Sequence, residues 1–334
     1  MQSVCAVIVG HDSRAFLERA LGSVERALRP TDELLLVDNL STDGTADFVR
    51  ARFPRCRVIE SGENLGFGRA CNLAVQDTAK ELILLLNPDA WVDPSCVERL
   101  RQAMAADGTL GWAAPKLAYP DGSPQFIWGP TLGVFGEVLQ RTRNRFERRR
   151  WAHVLLPRLL RLGGDPGWFS AAVGLLRRDA WLEVGGFDPG FFLYFEDADL
   201  SLRLRRAGWK LAEVESALAF HDKQGPSASS NRMVRYRESQ LRYYRKHRPR
   251  WENRFLLRRV GRKAARMTEG ATRASLLAVC ERARRAFETG VLDVPETADP
   301  QARREAPETR ETTETPTPPE TPEKASRARL TSLY

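Results

Sequence analysis

The sequence predicts an α/β protein whose central sheet is mainly parallel and flanked by helices. In residues 1–118, short apolar runs alternate with segments of helical periodicity, which is typical of such a sheet. The chain has 334 residues, of which 42% are hydrophobic, enough to bury a substantial core. Several apolar runs end directly at polar side chains, which indicates a ligand site at the carboxyl ends of the strands.

The elements of the first half follow in order. The β-branched run 4–9 predicts the first strand, and apolar residues at three- and four-residue spacing predict a helix over 16–28. Further strands and helices then alternate along the chain at 33–37, 45–52, 57–60, 68–78 and 82–86. Four strands joined by three helices therefore fit into fewer residues than a typical single domain contains.

The second half has a different pattern. Residues 119–250 are mixed α+β, with a strand predicted over 168–176 and a helix over 200–206. Residues 251–284 are predicted to form a basic helical extension. Residues 285–334 consist largely of Pro, Thr, Glu and Arg with few apolar residues, which predicts a disordered tail.

Composition excludes several classes of protein. No run of about 18 apolar residues occurs, so no membrane span is predicted. The first residues lack a basic leader with a cleavage site, and we interpret them as the first strand. The five cysteines form no CxxC pair and their number is odd, which favours neither a disulfide framework nor a zinc site. We therefore expect a cytoplasmic location, including the inner face of the plasma membrane.

The net charge of +9 is concentrated in two segments. Residues 232–266 contain fourteen Lys or Arg against two Glu, and the Arg-rich residues 141–150 continue into an apolar stripe that includes Trp151 and Leu155. Two interpretations remain open: peripheral contact with an anionic membrane, or a solvated face beside an ordinary packed helix. No nucleic-acid-binding motif is present, so nucleic acid is not a predicted partner.

An acidic cluster closes the aromatic run in residues 191–200. Glu196, Asp197 and Asp199 stand directly against Phe and Tyr residues. A carboxylate held against an apolar wall can keep a pKa suited to proton abstraction. The alternative is a capped helix start, because acids are favoured in the first turn of a helix.

Further polar residues stand at predicted strand ends, where Asp12 also lies. Asp38 can accept the imide N–H of a uracil or thymine ring, and its alternative is a turn-forming acid. Asn87 and Asp89 flank a proline after a fully apolar strand; Asp89 suits a hard divalent cation beside a diphosphate, and the alternative is a Pro-stabilised turn. His221 ends an apolar stretch and suits a metal or phosphate contact, with a solvated loop histidine as the alternative.

Residues 64–68 (NLGFG) precede a predicted helix. Gly66 and Gly68 would let the backbone approach a bound group closely. The segment is neither a GxGxxG fingerprint nor a P-loop, so by itself it defines no ligand.

Five stretches, taken in order, resemble the family 2 glycosyltransferases of the GT-A fold, and among them the bacterial rhamnosyltransferase-like branch. They are residues 37–45 (VDNLSTDGT), 63–68 (ENLGFG), 84–89 (LLLNPD), 181–188 (WLEVGGFD) and 191–200 (FFLYFEDADL). The resemblance spans residues 3–250. It implies that residues 1–118 are the nucleotide-sugar-binding half of a GT-A domain and that residues 119–250 are its acceptor-binding and catalytic half.

The resemblance also implies a role for each site residue. Asp197 would be the general base, Glu196 would help to hold the acceptor, and Asp199 would be structural. Asp89 would hold a divalent cation, Mg²⁺ or Mn²⁺, with His221 assisting. Nucleotide contacts would come from Asp12, Asp38, Gly66, Gly68, Asn72 and Asn87. Acceptor contacts would come from Trp168, Ser170 and Glu196, with Trp128 nearby.

The implied reaction is inverting transfer of a sugar from a nucleotide-sugar donor, dTDP-rhamnose or a UDP-sugar, to a surface polysaccharide or lipid-linked glycan. Two departures stand out: residues 10–12 (GHD) replace a Thr-Tyr-Asn-like triplet, and the metal motif is Asn-Pro-Asp with one strong carboxylate. Three alternatives are a nucleotidyltransferase, a nucleic-acid-binding protein and a non-catalytic scaffold. The first lacks its Gly-rich basic loop here, and intact carboxylates at 89 and 197 disfavour the third. The sequence predicts no oligomeric state.

Overall fold

The computed structural model describes residues 2–160, 167–223 and 230–289. The first part alternates strands and helices at the predicted places. Its elements are β1 (Val4–Gly10), α1 (Arg14–Ala27), β2 (Glu33–Asp38), α2 (Thr45–Arg52), β3 (Cys56–Glu60), α3 (Phe67–Gln76), β4 (Leu82–Leu86), β5 (Ala90–Val92), α4 (Cys96–Ala106) and β6 (Leu110–Ala118).

The second part is richer in helices. Its elements are β7 (Pro124–Gln125), β8 (Trp128–Gly129), α5 (Val134–Arg145), α6 (Arg150–Leu160), β9 (Trp168–Phe169), β10 (Val173–Arg177), α7 (Arg178–Glu183), α8 (Glu196–Arg206), β11 (Lys210–His221), α9 (Ser230–His247), α10 (Arg250–Ala265) and α11 (Ala271–Thr289). Residues 290–334, which hold most of the predicted tail, lie outside the described residues.

Two predicted elements differ from the structure. The single strand predicted over 168–176 is wrong, because residues 171–172 form a turn that separates β9 from β10, and the two strands belong to different sheets. The helix predicted over 200–206 starts earlier, at Glu196, because the three acids form its first turn.

The main sheet has nine strands in the order β3-β2-β1-β4-β10-β6-β11-β5, with β7 paired to β6. β3, β2, β1 and β4 are parallel, β6 and β11 run in the same direction, and β10, β5 and β7 are antiparallel to their neighbours. The mainly parallel sheet is thereby confirmed. The carboxyl ends of the parallel strands and the start of β10 meet at one edge, which is where ligands bind in such sheets.

Two hydrophobic cores position this edge. The larger core surrounds the main sheet, and every residue of β1 and β4 is buried, because helices cover both faces. The smaller core joins Phe191 and Phe195 to Tyr243 and Tyr244 of α9 and to Leu256 of α10. The segment that contains the acidic cluster therefore packs against a hydrophobic core separate from the one around the main sheet.

Helices α9, α10 and α11 pack on one another beside the smaller core. They contain most of the basic segment 232–266 and of the predicted extension 251–284. Over the ranges that the structure covers, no helix combines the length and the apolar character that crossing a membrane requires.

Candidate active site

The segment before α8 is held in an unusual backbone conformation. Tyr194 and Phe195 have φ values of 72° and 67°, in the left-handed region that bulky residues rarely adopt. The Phe195 ring packs against the Tyr236 and Tyr243 rings, with centroids 5.2 and 5.7 Å away. Such strain persists only where packing imposes it, and it is common at active sites. The first turn of α8 is therefore fixed in place by the smaller core.

Asp199 joins α8 to α9. Its side chain is fully buried, and its carboxylate lies 2.6 Å from His247 Nε2 and 2.7 Å from Lys246 Nζ and from the Arg203 guanidinium. Burial opposes the charge, but the bond from His247 and the charge of Arg203 outweigh it and lower the pKa of Asp199 to about 2. Asp199 therefore has a structural role.

Replacing Asp199 by Asn should destabilise the protein by about 3–5 kcal/mol, because the half-buried Arg203 and Lys246 cations lose a fully buried counter-charge. Since the folded pKa of about 2 lies below the ordinary value of 3.8, this contribution is present above pH 3.8 and lost as the pH falls through about 2. Urea unfolding at neutral pH measures the change. Asp107→Asn, which breaks the exposed pair with Lys210, is the control and should change the free energy of unfolding far less.

Glu196 and Asp197 differ in burial. Glu196 is buried, and no described residue forms a hydrogen bond to its Oε2. Burial and the neighbouring Asp197 raise the pKa of Glu196 well above its ordinary value, which favours its protonated form. Asp197 is half-buried; burial raises its pKa to about 6, against hydrogen bonds from the N–H groups of Ala198 and Ala171. In both residues burial disfavours the charged form, and the backbone N–H groups counter it at Asp197.

The turn between β9 and β10 links Asp197 to the end of β4. Ala171 N–H donates to Asp197, and Asn87 N–H donates to the Ala172 carbonyl at 2.8 Å. Ser170 precedes this turn and is half-buried. The structure therefore brings Asp197, Ser170 and the residues after β4 together, as expected at one edge of the sheet.

The two tryptophans behave differently. Trp168 is half-buried and packs against the smaller core. Trp128 is 2% exposed and packs in the larger core with Phe126. The Trp128 side chain is used for packing, its strand pairs with the strand of Trp168, and its nearness to the acceptor stays a prediction.

Asp89 and His221 face each other across neighbouring strands. His221 ends β11 and pairs with Ala90 at the start of β5, so Asp89 Oδ1 lies 3.2 Å from His221 Nε2. Both side chains are about one-tenth exposed. Within the described residues, no three His, Cys, Asp or Glu side chains converge on one point, so a cation here would need ligands from a substrate.

Gln125 fixes the orientation of the His221 ring. Its Nε2 donates to the His221 carbonyl at 3.2 Å, which turns its Oε1 toward His221 Nδ1 at 3.0 Å. Nδ1 must then carry the proton. Nε2 then faces the Asp89 carboxylate, and contact this close requires a proton or a cation between the two atoms. The donor set therefore fits a divalent cation.

Three loops meet at the ends of β1, β2 and β3. Asp38 is buried, and its Oδ1 accepts Ser41 N–H at 3.2 Å, the contact of a turn-forming acid. Asp12 is exposed and accepts Thr42 N–H at 2.7 Å. Asn39 accepts Leu65 N–H at 2.8 Å, which ties the loop after β3 to the same edge. The three loops are thus tied together around the buried Asp38.

Gly66, Gly68 and Asn72 make their closest contacts inside the protein. A Cβ on Gly66 would overlap the Phe192 carbonyl, and one on Gly68 would lie 3.0 Å from Phe187 Cβ. The Asn72 amide bonds the Phe187 backbone twice, at 2.8 and 2.9 Å. These residues hold the segment before α8, and nucleotide contact by them stays a prediction.

Sequence reasoning missed Gln125 and Asn39. Gln125 lies far from His221 in the chain, and no local pattern connects a buried Gln to a distant His. Asn39 follows Asp38 directly after an apolar strand. That position was a signal, but Asn is also common in turns, so the sequence alone does not distinguish the two roles.

Comparison with known proteins identifies the class. The sequence model described as "Glycosyl transferase family 2" matches residues 5–159. The N-acetylglucosaminyl-diphospho-decaprenol L-rhamnosyltransferase of Mycobacterium tuberculosis is 32% identical over 237 residues, covering 65% of this chain and 75% of that protein. The rhamnosyltransferase WbbL of Escherichia coli is 43% identical over 54 residues, 16% of this chain and 20% of that protein.

Solved structures agree on the fold. The structure of GalNAc-T7 with UDP, GalNAc and Mn²⁺ has a TM-score of 0.56 at 15% identity, covering 87% of this chain and 56% of that chain. The mannosyltransferase PcManGT from Pyrobaculum calidifontis, with GDP-Man and Mn²⁺, has a TM-score of 0.50 at 15% identity, covering 86% and 75%. The chain thus spans little more than half the length of the first of these.

The chain belongs to glycosyltransferase family 2 and has the GT-A fold. It is a glycosyltransferase of the rhamnosyltransferase-like type, which confirms the resemblance in its sequence motifs.

Proposed function

We propose that this enzyme transfers rhamnose from dTDP-rhamnose to a hydroxyl of a lipid-linked glycan or surface polysaccharide, with inversion and with Asp197 as general base. The observation that carries the proposal is the position of Asp197. It is half-buried, its pKa is raised to about 6, and the turn at 171–172 ties it to the strand end that holds Asn87. A base with this pKa is largely ionised at neutral pH and still basic enough to accept a proton.

The proposed chemistry is a single displacement. The acceptor oxygen forms a bond to the anomeric carbon, the bond from that carbon to the nucleoside diphosphate breaks, and Asp197 takes the hydroxyl proton. Glu196, whose raised pKa favours the protonated form, is the proposed hydrogen-bond donor to the acceptor. Trp168 and Ser170 are the proposed neighbours of the bound acceptor.

Asp89 and His221 are the proposed holders of a divalent cation. When bound, such an ion would neutralise charge on the diphosphate oxygens. Gln125 keeps the Nε2 lone pair of His221 directed at the site. An imidazole ligand favours Mn²⁺ over Mg²⁺, which prefers oxygen ligands alone.

The donor and acceptor are proposed from the named relatives. The relative from M. tuberculosis is an L-rhamnosyltransferase named for a lipid-linked diphosphate sugar, and the E. coli relative is also a rhamnosyltransferase. Asp38, buried at the end of β2, is the proposed acceptor for the imide N–H of the thymine base, with Asn87 near the ribose and Asp12 at the rim. A UDP-hexose donor is the second candidate, since uracil offers the same imide.

A donor screen tests the proposal. With Mn²⁺ present, dTDP-rhamnose should raise the melting temperature more than UDP-hexoses do, because selective binding to the folded state stabilises it. Adding a lipid-linked acceptor should then release dTDP. Binding without release would instead support a non-catalytic scaffold, and stronger stabilisation by a UDP-hexose would contradict the rhamnose assignment.

Gln125→Leu should weaken Mn²⁺ binding about 10- to 100-fold, because His221 loses the partner that orients its ring. Electron paramagnetic resonance of free Mn²⁺, measured with dTDP present, gives the affinity without turnover. Gln125→Glu keeps an acceptor for Nδ1–H and should restore most of the affinity. Equal loss in both variants would mean that Gln125 supports the local fold and does not position His221.

A further inference from the structure

Exposed apolar side chains concentrate beside the candidate site. Among the residues that the structure covers, thirteen large hydrophobic side chains are exposed, and eight lie on α5, α6 and α10. On the first two helices they follow a spacing of three and four residues, which aligns them on one face of each helix. These are Phe135, Val138 and Leu139 on α5, and Trp151, Val154 and Leu155 on α6.

The start of α10 adjoins the start of α5. Val134 N–H donates to the Glu252 carboxylate at 3.1 Å. Phe135 follows Val134 in the chain and Trp251 precedes Glu252, so both belong to the two adjoining helix starts. Trp251 is 56% exposed, and Phe255 lies one turn further along α10 and is 44% exposed. We call the exposed apolar side chains of α5, α6 and α10 the three-helix surface.

The three-helix surface is strongly basic. In residues 134–155 the exposed charged side chains include Arg141, Arg145, Arg148 and Arg149, and α10 contains six Lys or Arg against one Glu. Arg145 and Arg149 are exposed and form no ion pair with any described residue. A partner for this surface must therefore combine apolar groups with negative charge.

The surface is connected to the candidate site on two sides. Glu137 of α5 accepts the Tyr244 hydroxyl at 2.7 Å, next to the core that supports Phe195. Glu147, between α5 and α6, accepts Lys223 Nζ at 3.4 Å, two residues after His221. If the three-helix surface docks on a partner, these contacts would therefore keep the candidate site at a fixed distance from that partner.

We propose that the three-helix surface docks on an anionic lipid bilayer. Trp and Phe side chains enter the headgroup level while Arg side chains pair with lipid phosphates, the arrangement of interfacial amphipathic helices. The purpose of this docking rests on the proposed function, since it would bring the site to a lipid-linked acceptor. The binding itself is independent of donor and acceptor. Charge favours lipid over a second copy of the chain, because two such basic surfaces repel each other.

Vesicle flotation tests the proposal without any sugar substrate. The full chain should bind vesicles of phosphatidylglycerol and phosphatidylcholine, bind phosphatidylcholine alone far less, and lose binding as salt is raised. The double variant Trp151→Ser, Trp251→Ser should weaken binding at least about tenfold. Arg145→Gln with Arg149→Gln should weaken binding to anionic vesicles only.

Leu182→Ser on α7 is the matched control, because Leu182 is 50% exposed and lies off the surface. It should bind vesicles as the unchanged protein does, and all variants should keep the same melting temperature. Equal binding to neutral and anionic vesicles, an unchanged double variant, or self-association through Trp151 and Trp251 would each overturn the proposal. Donor-induced stabilisation tests the proposed function separately, so failure of one leaves the other measurable.

Discussion

Asp197→Asn should abolish most sugar transfer and leave nucleotide binding intact. The variant keeps the size of the side chain and its bond to Ala198 N–H, but it cannot take the acceptor proton. Loss of general-base catalysis should lower kcat about 100- to 10,000-fold. Single-turnover transfer from dTDP-rhamnose measures the rate, and calorimetric titration with dTDP measures the binding.

Stability provides the control for this variant. The folded pKa of Asp197 is about 6, above the ordinary 3.8, so its favourable contribution is complete below pH 3.8 and lost as the pH rises through about 6. A neutral Asn avoids that loss, so Asp197→Asn should be no less stable than the unchanged protein at neutral pH. A variant that transfers at a near-normal rate would remove Asp197 from its assigned role.

Asp89→Asn should have the second large effect, which is a loss of metal affinity. It removes the charged oxygen that faces His221 Nε2 at 3.2 Å. Because a direct carboxylate ligand contributes at least as much as the groups that orient ligands, Mn²⁺ binding should weaken at least about 100-fold. Transfer should fall at limiting Mn²⁺ and recover in part when the ion is in excess.

Asp222→Asn is the matched control for Asp89. It makes the same charge change one residue from His221, and the Asp222 backbone N–H bonds the Asp89 carbonyl at 3.1 Å. If the ion is held by the Asp89 side chain, Asp222→Asn should leave the Mn²⁺ affinity within about threefold. Equal losses in the two variants would indicate a general effect of charge and would contradict a specific ligand role.

Much of the fold follows from local pattern. The apolar runs of β1 and β4 are buried on both faces, so their composition alone identifies them as central strands. The positions of Asp38, Asp89 and His221 at strand ends also follow from local sequence pattern. The sheet then brings those strand ends to one edge. The strand predicted over 168–176 failed because its apolar character continues through a turn that only long-range pairing imposes.

The pKa values of individual carboxylates are harder to predict from the sequence. Glu196 and Asp197 are adjacent, and only the fold buries one and leaves the other half-exposed. The same holds for Asp199, whose partners Lys246 and His247 lie on another helix. Burial and distant charge, which set a pKa, are properties of the packed protein.

The pH dependence of kcat/KM for the unchanged enzyme tests the central claim most directly. Saturating Mn²⁺ and dTDP-rhamnose, with the lipid-linked acceptor varied, isolate the ionisation of Asp197 in the donor-bound enzyme. We predict one acidic limb, with activity falling as the pH drops through about 6 and level above it, because burial raises the pKa of Asp197 to about 6. A profile that stays level down to about pH 4, where an ordinary aspartate titrates, would contradict Asp197 as the buried general base.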